Sequence, residues 1–251
     1  MPAKNLEPSN ELPSVGITLR GGNLSFADKP IFKDLDLDLP AGRTTCLLGP
    51  SGVGKSSLLR LMAGISPEAT ARVLSADDGG TITGRIAYMD QRDLLLPWLN
   101  VLDNITLGAR LRGEAADRHR AMALLRHVGL DDVATARPAA LSGGMRQRAA
   151  LARTLMEDQP VVLMDEPFSA VDALTRLRLQ DLAAELLVGR TILLVTHDPL
   201  EALRLGHQIL VLSGEPASLG PALEPESLPP RPADDPALHS LAAGILRELA
   251  G

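Results

Sequence analysis

Gly49-Pro50-Ser51-Gly52-Val53-Gly54-Lys55-Ser56 is the stretch that decides how this chain is read. Two glycines stand five apart and are followed by Lys and then Ser, the pattern of a phosphate-binding loop. Thr44-Thr45-Cys46-Leu47-Leu48 ahead of it predicts a buried strand. Ser57-Leu58-Leu59-Arg60-Leu61-Met62-Ala63 behind it predicts a helix. A triphosphate carries several negative charges and needs donors from many directions. Glycines let the backbone curl until successive N–H groups point inward as an anion nest. The helix that follows adds its positive end to the same spot. Lys55 then reaches the β- and γ-phosphates, and the Ser56 hydroxyl ligates Mg²⁺. The expected nucleotide-binding run is Gly49 to Ser56 with Ser57.

The chain has 251 residues, enough for one large domain or one domain with a small appendage. At 45% hydrophobic and 2% aromatic, its core must be aliphatic. A net charge of −6 argues against nucleic acid as a partner. Cys46 is the only cysteine, so no internal disulfide can form, and its apolar setting predicts a buried small side chain. No run of about 18 apolar residues occurs. With no charged-then-apolar signal region at the N-terminus, the expected location is cytoplasmic.

Outward from the loop, Met1 to Pro13 is polar with three prolines and predicts a loose tail. Ile17 to Leu39 alternates with period two, Leu35, Leu37 and Leu39 having Asp between them, which predicts a small antiparallel sheet. Ser66 to Gly80 predicts a loop with little core, and Ile82 to Met89 a strand pair broken at Gly84. Leu94 to about Ala140 predicts a helical insert. Strand and helix then alternate: Val161–Met164, Leu174–Leu187, Thr191–Val195, Pro199–Leu205 and Gln208–Leu212. Such alternation implies a mainly parallel sheet covered on both faces. A proline-rich stretch from Gly214 leads to Leu238, Leu241, Ala242, Ile245, Leu246 and Leu249, spaced for one helix face. That face is expected to pack on its own domain.

Two further motifs carry chemistry. Val161 to Met164 ends in Asp165-Glu166-Pro167, an apolar strand delivering two acids to the carboxyl edge of a sheet, where α/β folds bind ligands. Asp165 is placed to hold Mg²⁺ and Glu166 to take a proton from an attacking water. An acidic pair of this kind also caps helices, and only the phosphate loop gives it weight. Leu141-Ser142-Gly143-Gly144-Met145-Arg146-Gln147-Arg148 opens a helix running to about Glu157. Ser142 is a good cap, and Gly143 and Gly144 let a ligand approach the backbone. This is a second anion site, and one phosphate loop already saturates one triphosphate. The second site is therefore free for the nucleotide of another subunit.

With these residues in place, the chain resembles the ATP-binding subunits of ABC transporters from about Ile17 to Leu212. Gly49–Ser56 resembles the Walker A motif, Leu141–Gln147 the signature and Val161–Glu166 Walker B. Ser169-Ala170-Val171-Asp172 resembles the D-loop, Gln91 the Q-loop glutamine and His197 the switch histidine. The resemblance implies the ABC ATPase fold: a phosphate-loop core with a mainly parallel sheet, a small antiparallel β subdomain and a helical signature subdomain at about 94–157. The ATPase domain would span 14–213, and 214–251 would be an extension ending in a helix. It also implies a head-to-tail dimer of two copies that sandwiches two ATP molecules. Each ATP would lie between one copy's phosphate loop and the other's Ser142, Gly143, Gly144 and Asp172. Gln91 would contact Mg²⁺ or the water, and His197 would bond the γ-phosphate. Phe26 stands where the family places an adenine-stacking aromatic; Tyr is more usual there, and Phe still stacks through its face.

Gln91 to Asn104, holding Leu94-Leu95-Leu96-Pro97-Trp98-Leu99, resembles the nitrate/sulfonate/taurine group of importers. Leu228-Pro229-Pro230-Arg231-Pro232 ahead of the final helix fits the same group. Tyr88 to Gly113 is similar to importers of hydroxymethylpyrimidine. The implied assembly has an integral membrane permease docking near Leu94–Asn104, a periplasmic or extracellular solute-binding protein, and this subunit peripheral on the inner face of the membrane. The rival within the family is the soluble ATPase of iron–sulfur assembly, which would work without a permease.

Overall fold

The computed structural model describes residues 13–27 and 29–250; the tail expected over Met1 to Pro13 lies, save Pro13, outside them. In chain order come β1 (Ile17–Phe26), β2 (Lys29–Leu39), β3 (Thr44–Leu48), α1 (Lys55–Met62), β4 (Val73–Ala76) and β5 (Ile86–Met89). Next follow α2 (Val101–Ile105), α3 (Leu107–Leu111), α4 (Arg118–His127), α5 (Gly143–Met156), β6 (Val161–Asp165) and α6 (Ala173–Leu186). The chain continues through β7 (Thr191–Val195), α7 (Pro199–Leu205), β8 (Gln208–Ser213), β9 (Ser218–Leu219) and α8 (Pro236–Ala250). Two compact units result. One holds residues 13–86, 160–166 and 189–250; the other holds 87–159 and 167–188. The helical insert expected at about 94–157 falls within the second.

In the first unit, β6, β7, β3 and β8 lie side by side as parallel strands, with β9 antiparallel beyond β8. Every residue of β6 and β7 is buried, and so are four of the five in β3. Continuous apolar runs of this kind suit strands covered on both faces. The register levels the carboxyl ends: Leu47 pairs with Val195, and Val195 with Asp165. Whatever follows β3, β6 and β7 is thereby delivered to one edge. Cys46 sits in β3 with no exposed surface, and burial pushes its thiol pKa well up.

A three-stranded antiparallel sheet in the order β2-β1-β4 completes the β structure of this unit. In β2, Leu35, Leu37 and Leu39 point inward and Asp34, Asp36 and Asp38 outward, as period two requires. Strand β4 corrects the expected loop over Ser66–Gly80. Four residues, Val73-Leu74-Ser75-Ala76, pair with the free edge of β1, Ile17 opposite Ala76, and so short a strand leaves no periodic trace. The expected strand pair over Ile82–Met89 reduces to β5 alone. Arg85 N–H donates to Ile82 O at 3.1 Å, which makes a turn of the residues around Gly84.

After pairing with β8 through β9, the extension returns to α7 from Arg231 onward. Leu238, Ala242 and Ile245 of α8 are buried, and α8 packs against α7. Arg231 is 1% exposed. Its guanidinium donates to Leu203 O at 2.5 Å, Gly206 O at 2.8 Å and Ser227 Oγ at 3.0 Å, and also to Ser227 O. Burial lowers its pKa, and the ring of carbonyls holds the charge in place. Arg231→Met removes those donors and strands the carbonyls at the end of α7. Leaving buried polar groups unsatisfied costs about 1–3 kcal/mol each, so the urea midpoint should fall by about 1 M or more. An unchanged midpoint would mean that the extension is not braced by this residue.

Candidate nucleotide site

The phosphate loop leaves β3 at Gly49 and enters α1 at Lys55, as its residues require. Gly52 has φ 81° and Gly54 φ 108°, a left-handed backbone that side chains resist. At Gly54 a Cβ would also stand 2.8 Å from Ile31 Cγ2, and at Gly49 one would stand 2.4 Å from Leu212 O. Both positions are closed to anything larger. Gly54 serves as the N-cap of α1 with no side chain in the way, so the first N–H groups of α1 face the loop.

Lys55 is 8% exposed, and its ammonium donates to Gly49 O at 2.7 Å and Pro50 O at 2.9 Å. An ammonium has three donors, so one remains for a phosphate oxygen. Burial lowers the Lys55 pKa, while the carboxylates of Glu166 and Asp165 act to raise it. Pro50, Ser51, Gly52 and Val53 line a cleft of about 390 Å³ with Lys29, Pro30, Ile31, Gly214 and Glu215. Lys29 and Glu215 pair at 2.9 Å on its rim. Phe26 ends β1 at 46% exposure, its ring open to a flat partner.

Asp165 closes β6 at 1% exposure. Glu166 follows with φ 48°, and its N–H donates to Val195 O at 2.9 Å. A left-handed glutamate costs of the order of 1–3 kcal/mol, and such residues gather at functional sites. The turn brings its carboxylate 3.3 Å from His197 Nδ1, so two expected site residues meet. Ser56, at the start of α1, and Asp165 offer the hard oxygen donors that Mg²⁺ prefers.

The remaining residues belong to the second unit. Ser142 caps α5, its Oγ accepting from Met145 N–H at 3.2 Å. At Gly144 a Cβ would stand 2.9 Å from Ala170 O, so glycine there permits close packing of α5 on 169–172. Gln147 binds the same turn twice, accepting from Ala170 N–H at 2.8 Å and donating to Ser169 Oγ at 3.3 Å. Asp172 caps α6 by accepting from Thr175 N–H at 3.0 Å, and that bond lowers its pKa. Gly143 opens α5, and Gln91 is exposed two residues beyond β5. Spacing did not reveal Gln147 as a brace, because its partners lie more than twenty residues away in sequence.

A phosphate loop after β3, an acidic pair after β6 and a histidine after β7, all at one sheet edge, define a nucleotide-binding domain of the phosphate-loop class. The chain belongs to the ABC transporter family, whose profile matches residues 32–169. It is 46% identical over 237 residues to an aliphatic sulfonates import ATP-binding protein, SsuB, of Delftia acidovorans, with 93% of each chain covered. A protein of that name from Rhodococcus jostii is 45% identical over 218 residues, covering 86% of this chain and 83% of that one. Among solved structures, a dimeric bacterial ABC transporter cassette superposes with a TM-score of 0.73 at 26% identity, covering 84% of this chain and all of that one. A post-hydrolysis dimer of the same cassette, bound to ADP and Pi, gives 0.72 at 26% identity, with 85% and 100% covered.

Lys55→Ala removes the one cation buried in the loop. A hydrogen bond to a charged group is worth roughly 1.5–3 kcal/mol, so ATP affinity by calorimetry should fall between ten- and over a hundredfold. Unchanged affinity would strip Lys55 of its role.

Proposed function

We propose that this chain is the ATP-hydrolysing subunit of a membrane importer of aliphatic sulfonates. The observation that carries the reading is the meeting of Glu166 and His197, 3.3 Å apart, on the sheet edge that also bears the phosphate loop. The sulfonate assignment rests on the names of relatives up to 46% identical over nearly the whole chain, and it narrows the nitrate/sulfonate/taurine group. Those names favour sulfonates over the pyrimidine precursor, and an importer over the iron–sulfur ATPase.

In this reading Gly49 to Ser57 wrap the phosphates, Lys55 contacts the β- and γ-phosphates, and Phe26 stacks on adenine. Ser56 and Asp165, with Gln91, would hold Mg²⁺, which when bound neutralises phosphate charge. Glu166 accepts the proton of a water whose oxygen attacks the γ-phosphorus. The bond to the β-phosphate oxygen breaks, and ADP and phosphate leave. His197 donates to a γ-phosphate oxygen and is itself oriented by the Glu166 carboxylate. Ser142, Gly143, Gly144 and Asp172 face the nucleotide of a second copy, a pairing supported by the dimeric form of the similar cassette. Residues 14–213 form the ATPase domain, with the helical arm at about 94–157, and 214–251 form its extension.

The permease docks on Leu94–Asn104, and a solute-binding protein presents the sulfonate outside. No helix among the described residues is long and apolar enough to cross a membrane, in keeping with a subunit held on the inner face by its permease. Leu94 and Trp98 support the docking site: they are 47% and 66% exposed, while Leu95 of the same segment is buried. Exposed apolar side chains clustered in one short segment are the kind of patch that marks a contact surface.

Glu166→Gln keeps the shape of the side chain and loses the base. ATP binding should persist, turnover should fall at least about 10²-fold, and MgATP should trap a dimer on size-exclusion chromatography. Near-normal turnover rules Glu166 out as the base. Trp98→Ala tests docking, since truncating an aromatic anchor costs about 2 kcal/mol or more. Permease binding and permease-stimulated ATPase should drop while basal ATPase and the melting temperature of the isolated subunit hold. A stable variant that couples normally removes the segment from the interface.

A further inference from the structure

The segment that exposes Leu94 and Trp98 is held by hydrogen bonds from two sides. Asn104 of α2 has no exposed surface, and it takes four backbone partners. Its Oδ1 accepts from Leu96 N–H at 2.7 Å, and its Nδ2 donates to Leu96 O at 3.2 Å, Asn100 O at 3.0 Å and Leu99 O at 3.4 Å. The far end of the segment is thus pinned by one amide.

The near end is pinned by α5. Arg153 donates to Asp93 O at 2.8 Å and to Leu94 O at 2.9 Å, and Arg146 Nε donates to Asp93 Oδ2 at 3.0 Å. Asp93 Oδ1 accepts from Leu95 N–H at 3.1 Å, so one carboxylate closes the turn and ties it to α5. Arg146 and Arg153 are seven apart in sequence and so share a helix face. Bonds from ionised donors are about twice as strong as neutral ones. Leu94 sits at φ 45°, a backbone a leucine avoids, and its carbonyl is one that Arg153 holds. The helix that makes these bonds starts at Ser142, the residue assigned to the partner copy's nucleotide. A helix of 14 residues is a rod of about 21 Å, too stiff to move at one end alone.

We propose that Arg153 is a positioning residue that makes the 93–99 turn ride on α5, so that events at Ser142 reach the permease-docking surface through this side chain. The proposal rests on the docking and dimer assignments made above. It does not need the permease for its test, because Trp98 is the only tryptophan in the chain and stands on the turn itself.

The experiment follows Trp98 emission and acrylamide quenching in the full chain as the Mg²⁺ complex of a non-hydrolysable ATP analogue is added, in wild type, Arg153→Gln and Arg153→Lys. Wild type should show a nucleotide-dependent change in both readings. Arg153→Gln should lose most of that change while its analogue affinity stays within about threefold, and Arg153→Lys should restore part of it. A merely structural role would lower melting temperature and leave the optical response of the folded fraction intact. If Arg153→Gln does not fold, Asp93→Asn weakens the same junction from the other side and should give the same loss. A full response in a folded Arg153→Gln or Asp93→Asn variant overturns the proposal, as does a wild type with no response. Docking fails separately, by a Trp98→Ala variant that still binds permease.

Discussion

Left-handed backbone at Gly52 and Gly54 is the constraint on which the rest of this structure depends. A loop that turns its N–H groups toward one anion must reverse its curl within a few residues, and only glycine does so without strain. That loop needs a rigid strand before it and a helix start after it, which β3 and α1 supply. Because β3 has parallel neighbours on both sides, the same edge receives the ends of β6 and β7. The acids and the histidine are there because the sheet is parallel, and the sheet is parallel because helices carry the chain back each time.

Strain is placed where chemistry is. Glu166 takes a left-handed backbone in the turn after β6, yet its N–H continues the ladder to Val195 O. The ladder holds a conformation the residue would otherwise leave, and the reward is a carboxylate beside His197. The second unit uses a comparable device at Leu94, where α5 rather than a strand holds the turn. In both places a well-bonded neighbour stabilises a backbone that local preference disfavours.

The parts legible from sequence were those set by short-range rules. The phosphate loop, the buried strands β6 and β7 and the capping Ser142 each follow from residues within a few positions of one another. Their roles at an ATP site came from resemblance as much as from pattern. Strand β4 was not legible, since four residues borrowing the edge of β1 carry no period of their own. Nor were the long-range grips: Arg153 on Leu94, Gln147 on Ala170 and Arg231 on α7 join residues that sequence distance does not relate. A polar residue inside an apolar helix face, as Asn104 is between Leu102 and Ile105, hints that something is gripped without saying what. Composition correctly implied an aliphatic core, yet it said nothing of which arginines would be buried.

Cys46 lies in an interior strand of the parallel sheet with no exposed surface, and burial pushes its thiol pKa up. Only the thiolate reacts readily with alkylating reagents, so the native protein is in effect blind to them. To such a reagent the wild-type chain presents nothing until β3 separates from its neighbours, and modification then counts openings of the sheet as a whole. The same property leaves the surface free for a single introduced cysteine. A dye or spin label placed there would report one position, with no background from the native thiol and no need to remove it from beneath the phosphate loop.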